Sequence, residues 1–77
     1  MKEVGKLSWK RFEKFVLKEG CHFKGTEGDH NKYKRPGLLR PIIIPKYKEL
    51  PDFIIHNNLE LLGVTKEYFI EKMKDIK

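Results

Sequence analysis

The side-chain pattern of this chain changes period twice, and that change narrows the folds open to it more than any other feature. From Ser8 to Gly20 the pattern is helical: Trp9, Phe12, Phe15 and Val16 stand at i, i+3, i+6 and i+7, one apolar stripe. Ser8 is a good N-cap, and Gly20 stands where a left-handed residue ends a helix. Lys10, Arg11, Glu13, Lys14 and Lys18 fill the opposite side. The middle reads as strand. Cys21 to Lys24 is a short first strand, and Gly25-Thr26-Glu27-Gly28 a turn. His30 to Arg35 is a second strand, Pro36-Gly37 a turn pair, and Leu38 to Ile44 a third strand rich in β-branched residues. Pro41 inside that third strand has no N–H for a ladder, which argues for a sheet edge or a bulge. The helical period then returns. Asp52 can cap a helix with Ile54, Ile55, Leu59 and Leu62 on one face, and Gly63 ends it. Thr65 caps a last short helix carrying Phe69, Met73 and Ile76.

The order is therefore α-β-β-β-α-α, an α+β arrangement without internal repeats. Helices from both ends of the chain cover one face of a three-stranded antiparallel sheet and leave the other to solvent. At 77 residues the chain is expected to be one domain, residues 1–77, near the lower size at which a single apolar core suffices. Apolar residues make up 39% of it, and nine aromatics run from Trp9 to Phe69, so every segment contributes to one core. Cys21 is the only cysteine. It has no partner for an intramolecular disulfide and reads as a small buried hydrophobe. With no signal peptide and no apolar run near ~20 residues, the chain reads as cytoplasmic, with no membrane partner.

Charge separates the thirds of the chain. Residues 20–48 carry seven Lys/Arg against two Asp/Glu, whereas residues 49–77 carry four against six. The positive potential is densest around His30, where it would attract a polyanion. A lysine-rich solvated surface accounts for the same composition.

Strand periodicity puts His30, Lys32 and Lys34 on one face and Asn31, Tyr33 and Arg35 on the other. If Tyr33 points into the core, the histidine and both lysines face solvent. An imidazole titrating near pH ~6.5 can act as general acid or base. RNA brings its own nucleophile, the 2′-hydroxyl, so one histidine among cationic donors suffices for slow, metal-free cleavage. Lys32, Lys34, Arg35 and Arg40 are the candidate phosphate contacts. Gly28, like Gly25, either permits a turn or lets a phosphate approach the backbone. From its residue type alone, His30 is better read as an exposed histidine without a role, and a solvated strand face accounts for each single cation at least as well. Cys21, His22, Asp29 and His30 match no recognised metal-ligand spacing, so no metal or other cofactor is expected. His56 reads as a surface or core-edge residue.

A capped first helix ending in glycine, Gly28-Asp29-His30 leading a basic strand with an aromatic, an apolar third strand, then Gly63-Val64-Thr65 and Lys66-Glu67-Tyr68-Phe69 together resemble the HicA toxin family. The likeness runs from about Ser8 to Met73. It implies a fold similar to the double-stranded-RNA-binding domain. It also implies an mRNA interferase of a type II toxin–antitoxin system, cutting mRNA independently of the ribosome and held inactive by a HicB-like antitoxin. The essential histidine of Gly-x-His falls on His30. The commoner family form has serine before the histidine and often a second histidine after it; here Asp29 and Asn31 occupy those positions. The rival functions are a non-catalytic RNA-binding module and a domain that binds only protein.

Overall fold

A computed structural model describes residues 7–76. Its elements are α1 (Trp9–Lys18), β1 (His22–Glu27), β2 (His30–Lys34), β3 (Ile42–Pro45), α2 (Asp52–Leu62) and α3 (Lys66–Met73). The strands form one antiparallel sheet in the order β1-β2-β3, with β2 central. This is the expected α-β-β-β-α arrangement with a third, C-terminal helix, and it is consistent with a fold like that of the double-stranded-RNA-binding domain.

The helix ends follow the local chemistry. Ser8 accepts a hydrogen bond from the Arg11 N–H at 3.3 Å, and Thr65 accepts one from the Tyr68 N–H at 3.0 Å. At the other end of α1, the Gly20 N–H bonds the Leu17 carbonyl and the Cys21 N–H bonds the Val16 carbonyl. That double closure requires a left-handed residue between them, and Gly20 supplies φ 94°. Asp52 is not the cap of α2. Pro51 holds that position and Asp52 is the first helical residue, where its carboxylate still favours the positive helix end.

Two strand boundaries differ from the sequence expectation by more than one residue, for identifiable reasons. β1 runs on to Glu27 because the chain absorbs Gly25 as a bulge: Phe23 pairs with Tyr33 and Gly25 with Lys32, leaving Lys24 as the extra residue. The turn therefore shrinks to Gly28-Asp29, with Glu27 opposite His30 and Gly28 at φ 58°. β3 begins only at Ile42, so Pro41 precedes the strand instead of lying within it. The Leu38 N–H bonds the Arg35 carbonyl across Pro36-Gly37, a turn with proline first and a positive-φ glycine second, and this carries residues 36–41 away from the sheet. Pro45 closes β3 as its last residue. β3 is an edge strand, where a missing N–H costs least.

The core lies between the sheet and the helices. Phe12, Phe15 and Val16 of α1, Tyr33, Ile42 and Ile44 of the sheet, Ile55, Leu59 and Leu62 of α2 and Phe69 of α3 are all buried. Phe69 is wedged against α1, its ring 4.8 Å from Phe15 and nearly perpendicular to it. Ile54 and Met73 are only partly buried, and Ile76 is buried just beyond the end of α3. Cys21 is buried as expected, and burial raises its thiol pKa.

Candidate nucleic-acid interface

The two faces of β2 are sharply different. Asn31 and Tyr33 are buried on the helix side, His30 and Lys34 are exposed on the other, and Lys32 is half-buried beside them. His30, Lys32 and Lys34 thus share the uncovered face along about 13 Å of strand. His22 of β1 lies opposite Lys34, and Ile43 of β3 opposite Lys32.

The turn before His30 is held at both ends. Below it, the Thr26 hydroxyl donates to Asn31 Oδ1 (2.8 Å) and Asn31 Nδ2 donates to the Tyr33 hydroxyl (3.2 Å). The Tyr33 hydroxyl in turn donates to Glu13 Oε2 of α1 (2.6 Å). Burial, and then the Glu13 carboxylate, push the Tyr33 phenol well above its ordinary pKa, so it stays a neutral donor. Beside the turn, the Lys46 N–H bonds the Asp29 carbonyl at 2.8 Å. Gly28 sits in this turn in the left-handed region, with open space around its α-carbon.

Glu27 is the residue that sequence reasoning missed. A four-residue turn at 25–28 would have placed it off the sheet, but the bulge and the two-residue turn make it the cross-strand neighbour of His30. Its carboxylate lies 3.5 Å from the Lys32 ammonium. The sequence signal that could have found it is the glycine pair at Gly25 and Gly28: one glycine makes a bulge and the other a tight turn.

The remaining candidates divide. Arg40 lies in the loop before β3 and, with Lys34 and Arg35, lines an open cleft of about 360 Å³ at the far end of β2 from His30. Arg35 points to the helix side. Its guanidinium donates to the Glu19 carbonyl at the end of α1 (2.7 Å) and to the Leu62 carbonyl at the end of α2 (3.4 Å). It joins two helix C-termini, as a cation there should. Cys21, His22, Asp29 and His30 do not converge: Cys21 is in the core, and His22 and His30 sit at opposite ends of the hairpin. Among the described residues no group of three or more His, Cys, Asp and Glu side chains is placed to hold a metal ion. His56 is exposed on α2. No helix among the described residues is long and apolar enough to cross a membrane.

A three-stranded sheet backed by helices, with a histidine and two lysines on its bare face, defines a small α+β protein of the double-stranded-RNA-binding-domain type. The family model described as the HicA toxin of bacterial toxin–antitoxin pairs matches residues 9–64, most of the chain. The protein belongs to the HicA toxin family, whose members are the toxins of such pairs, so an antitoxin is its implied partner. Comparison with curated proteins and with solved structures gives no match.

Proposed function

We propose that the protein is an mRNA interferase, a metal-independent endoribonuclease in which His30 acts as acid/base. The observation that carries this reading is the position of His30: exposed at the start of the central strand, on the sheet face that none of the described helices covers, in a member of a toxin family. Lys32 and Lys34 follow it on the same face and would hold successive phosphates. Arg40, in the cleft that Lys34 also lines, would extend that contact beyond the strand. The open turn at Gly28 leaves room for the RNA backbone to approach. Arg35, whose guanidinium bridges two helix ends, would lend positive charge to the cleft rather than grip a phosphate directly. A HicB-like antitoxin would silence the toxin in the cytoplasm by covering the open face.

The test is cleavage of labelled RNA by the purified protein in EDTA, with His30→Ala beside the wild type. The substitution is expected to lower cleavage by about 10²–10⁴-fold and to relieve growth arrest. Because His30 is exposed, stability should stay within about 0.5 kcal/mol. A folded His30→Ala protein that cuts RNA at the wild-type rate would overturn the assignment. Salt-sensitive RNA binding by a wild-type protein that yields no cleavage products would mark a non-catalytic RNA-binding module instead.

A further inference from the structure

The hairpin brings a carboxylate to His30 that the single-histidine mechanism does not use. Glu27 and His30 are the last paired residues before the two-residue turn, on the same face of the sheet. Side chains directly opposite in an antiparallel ladder start from β-carbons about 4.5–5.5 Å apart. Both extend outward from the open face, so one phosphodiester laid across the end of the hairpin can meet both. Lys32, two residues beyond His30 on this face, lies 3.5 Å from Glu27 Oε1, so a carboxylate, an imidazole and an ammonium share this end of the open face.

The pairing is fixed from beneath. Thr26 and Asn31, the next pair in the ladder, are hydrogen-bonded side chain to side chain, and Asn31 is anchored through Tyr33 to Glu13. A slip by one residue would break this hydrogen-bonded chain and turn Glu27 away from His30. From β3 the residue opposite His30 is Pro45, which brings no titratable group. The other charges near the pair are Asp29 in the turn and Lys46 beyond β3.

We propose that Glu27 and His30 divide the two proton transfers of an RNA transesterification, Glu27 as the base and His30 as the acid. The inference rests on the reading of His30 as catalytic and replaces its single acid/base with a pair. The Glu27 carboxylate takes the proton of the 2′-hydroxyl, whose oxygen forms a bond to phosphorus. As the bond from phosphorus to the 5′-oxygen breaks, the His30 imidazolium gives that oxygen its proton. The products are a 2′,3′-cyclic phosphate and a 5′-hydroxyl. Nothing is oxidised or reduced, and exchange with water returns both groups to their starting states. Lys32 orients the carboxylate and offers its charge to the phosphoryl oxygens as they become more negative.

The experiment is single-turnover cleavage of labelled RNA in EDTA across pH, with analysis of the product ends. The wild type should give a bell-shaped profile and cyclic-phosphate ends. Glu27→Gln should slow cleavage by about 10²–10⁴-fold and remove the acid limb of the profile, while RNA affinity holds or rises. Glu27→Asp should keep the acid limb at reduced rate, and Asp29→Asn should leave the limb in place. A role limited to holding Lys32 would alter RNA affinity and salt dependence without moving the limb. The Glu27 side chain is 79% exposed, so the variant should fold, which its melting temperature checks. Glu27→Gln cleavage within about threefold of wild type with the acid limb intact would overturn the pair. So would 5′-phosphate product ends, or loss of the limb in Asp29→Asn alone. If His30→Ala is inactive while Glu27→Gln is fully active, only the pair fails. If His30→Ala is fully active, the reading of His30 as the acid/base itself fails.

Discussion

The two faces of the central strand β2 are built from alternating residues of one five-residue segment, yet they obey different physics. On the covered face Asn31 and Tyr33 have surrendered their water and must find every partner inside the protein, which they do through Thr26 and Glu13. On the open face His30 and Lys34 keep their hydration and make none of the described core contacts. The covered face therefore sets whether the chain folds. The open face is free to set what the folded chain binds, because changing it costs little stability.

The sharpest way to break this comparison is to empty the covered face. Phe15 is fully buried against Phe12 and Phe69, so Phe15→Ala should cost about 3–5 kcal/mol in denaturant unfolding. In so small a domain a loss of that size is expected to leave a large unfolded fraction at 37 °C. If Phe15→Ala unfolds with the wild-type midpoint, the division of the two faces is wrong.

Adjacent residues sharpen it further. Arg35→Ala removes two charge-assisted hydrogen bonds to helix ends and should cost about 1.5–3 kcal/mol of stability. Lys34→Ala, one residue away on the exposed face, should change stability by less than about 0.5 kcal/mol. It should instead weaken RNA binding and lower the slope of log affinity against log salt by about 0.7. Equal stability losses at the two positions would erase the distinction between them.

Tyr33→Phe probes the buried polar chain alone, since ring packing survives. Losing the hydroxyl strands Asn31 and Glu13, at about 1–3 kcal/mol. The pH dependence has a definite sign. The folded state raises the Tyr33 pKa, so the phenol's contribution is complete below the unfolded value of about 10 and declines as pH rises above it. Stability measured from pH 9 to 11 should therefore fall more steeply in the wild type than in Tyr33→Phe. Parallel curves would mean that Tyr33 ionises as easily folded as unfolded.

How far the fold could be read from the sequence depended on whether a segment's structure is local. Ser8, Gly20, Gly63 and Thr65 mark helix ends through bonds to residues within one turn, and each was legible. Lys24 and Gly25 were not, because a bulge is defined only against the partner strand, here at Lys32. Leu38 to Pro41 read as the start of a strand rich in β-branched residues. The Pro36-Gly37 turn steers them off the sheet, and β2 offers pairing only from Tyr33 to His30. Arg35 read as one more cation in a basic run, since nothing nearby in the sequence reveals the helix carbonyls of Glu19 and Leu62 that it meets.

By itself the sequence determined the order of elements, the helix caps, and the alternation that separates His30, Lys32 and Lys34 from Asn31 and Tyr33. Periodicity and capping involve residues a few positions apart, so they are written locally. Only the tertiary structure decided that Glu27 faces His30, that Asn31 is held from below by Tyr33 and Glu13, and that Arg35 joins two helices. Each of those relations depends on the register of strands or the docking of helices. Register and docking are set by the burial of the whole core, not by any one segment.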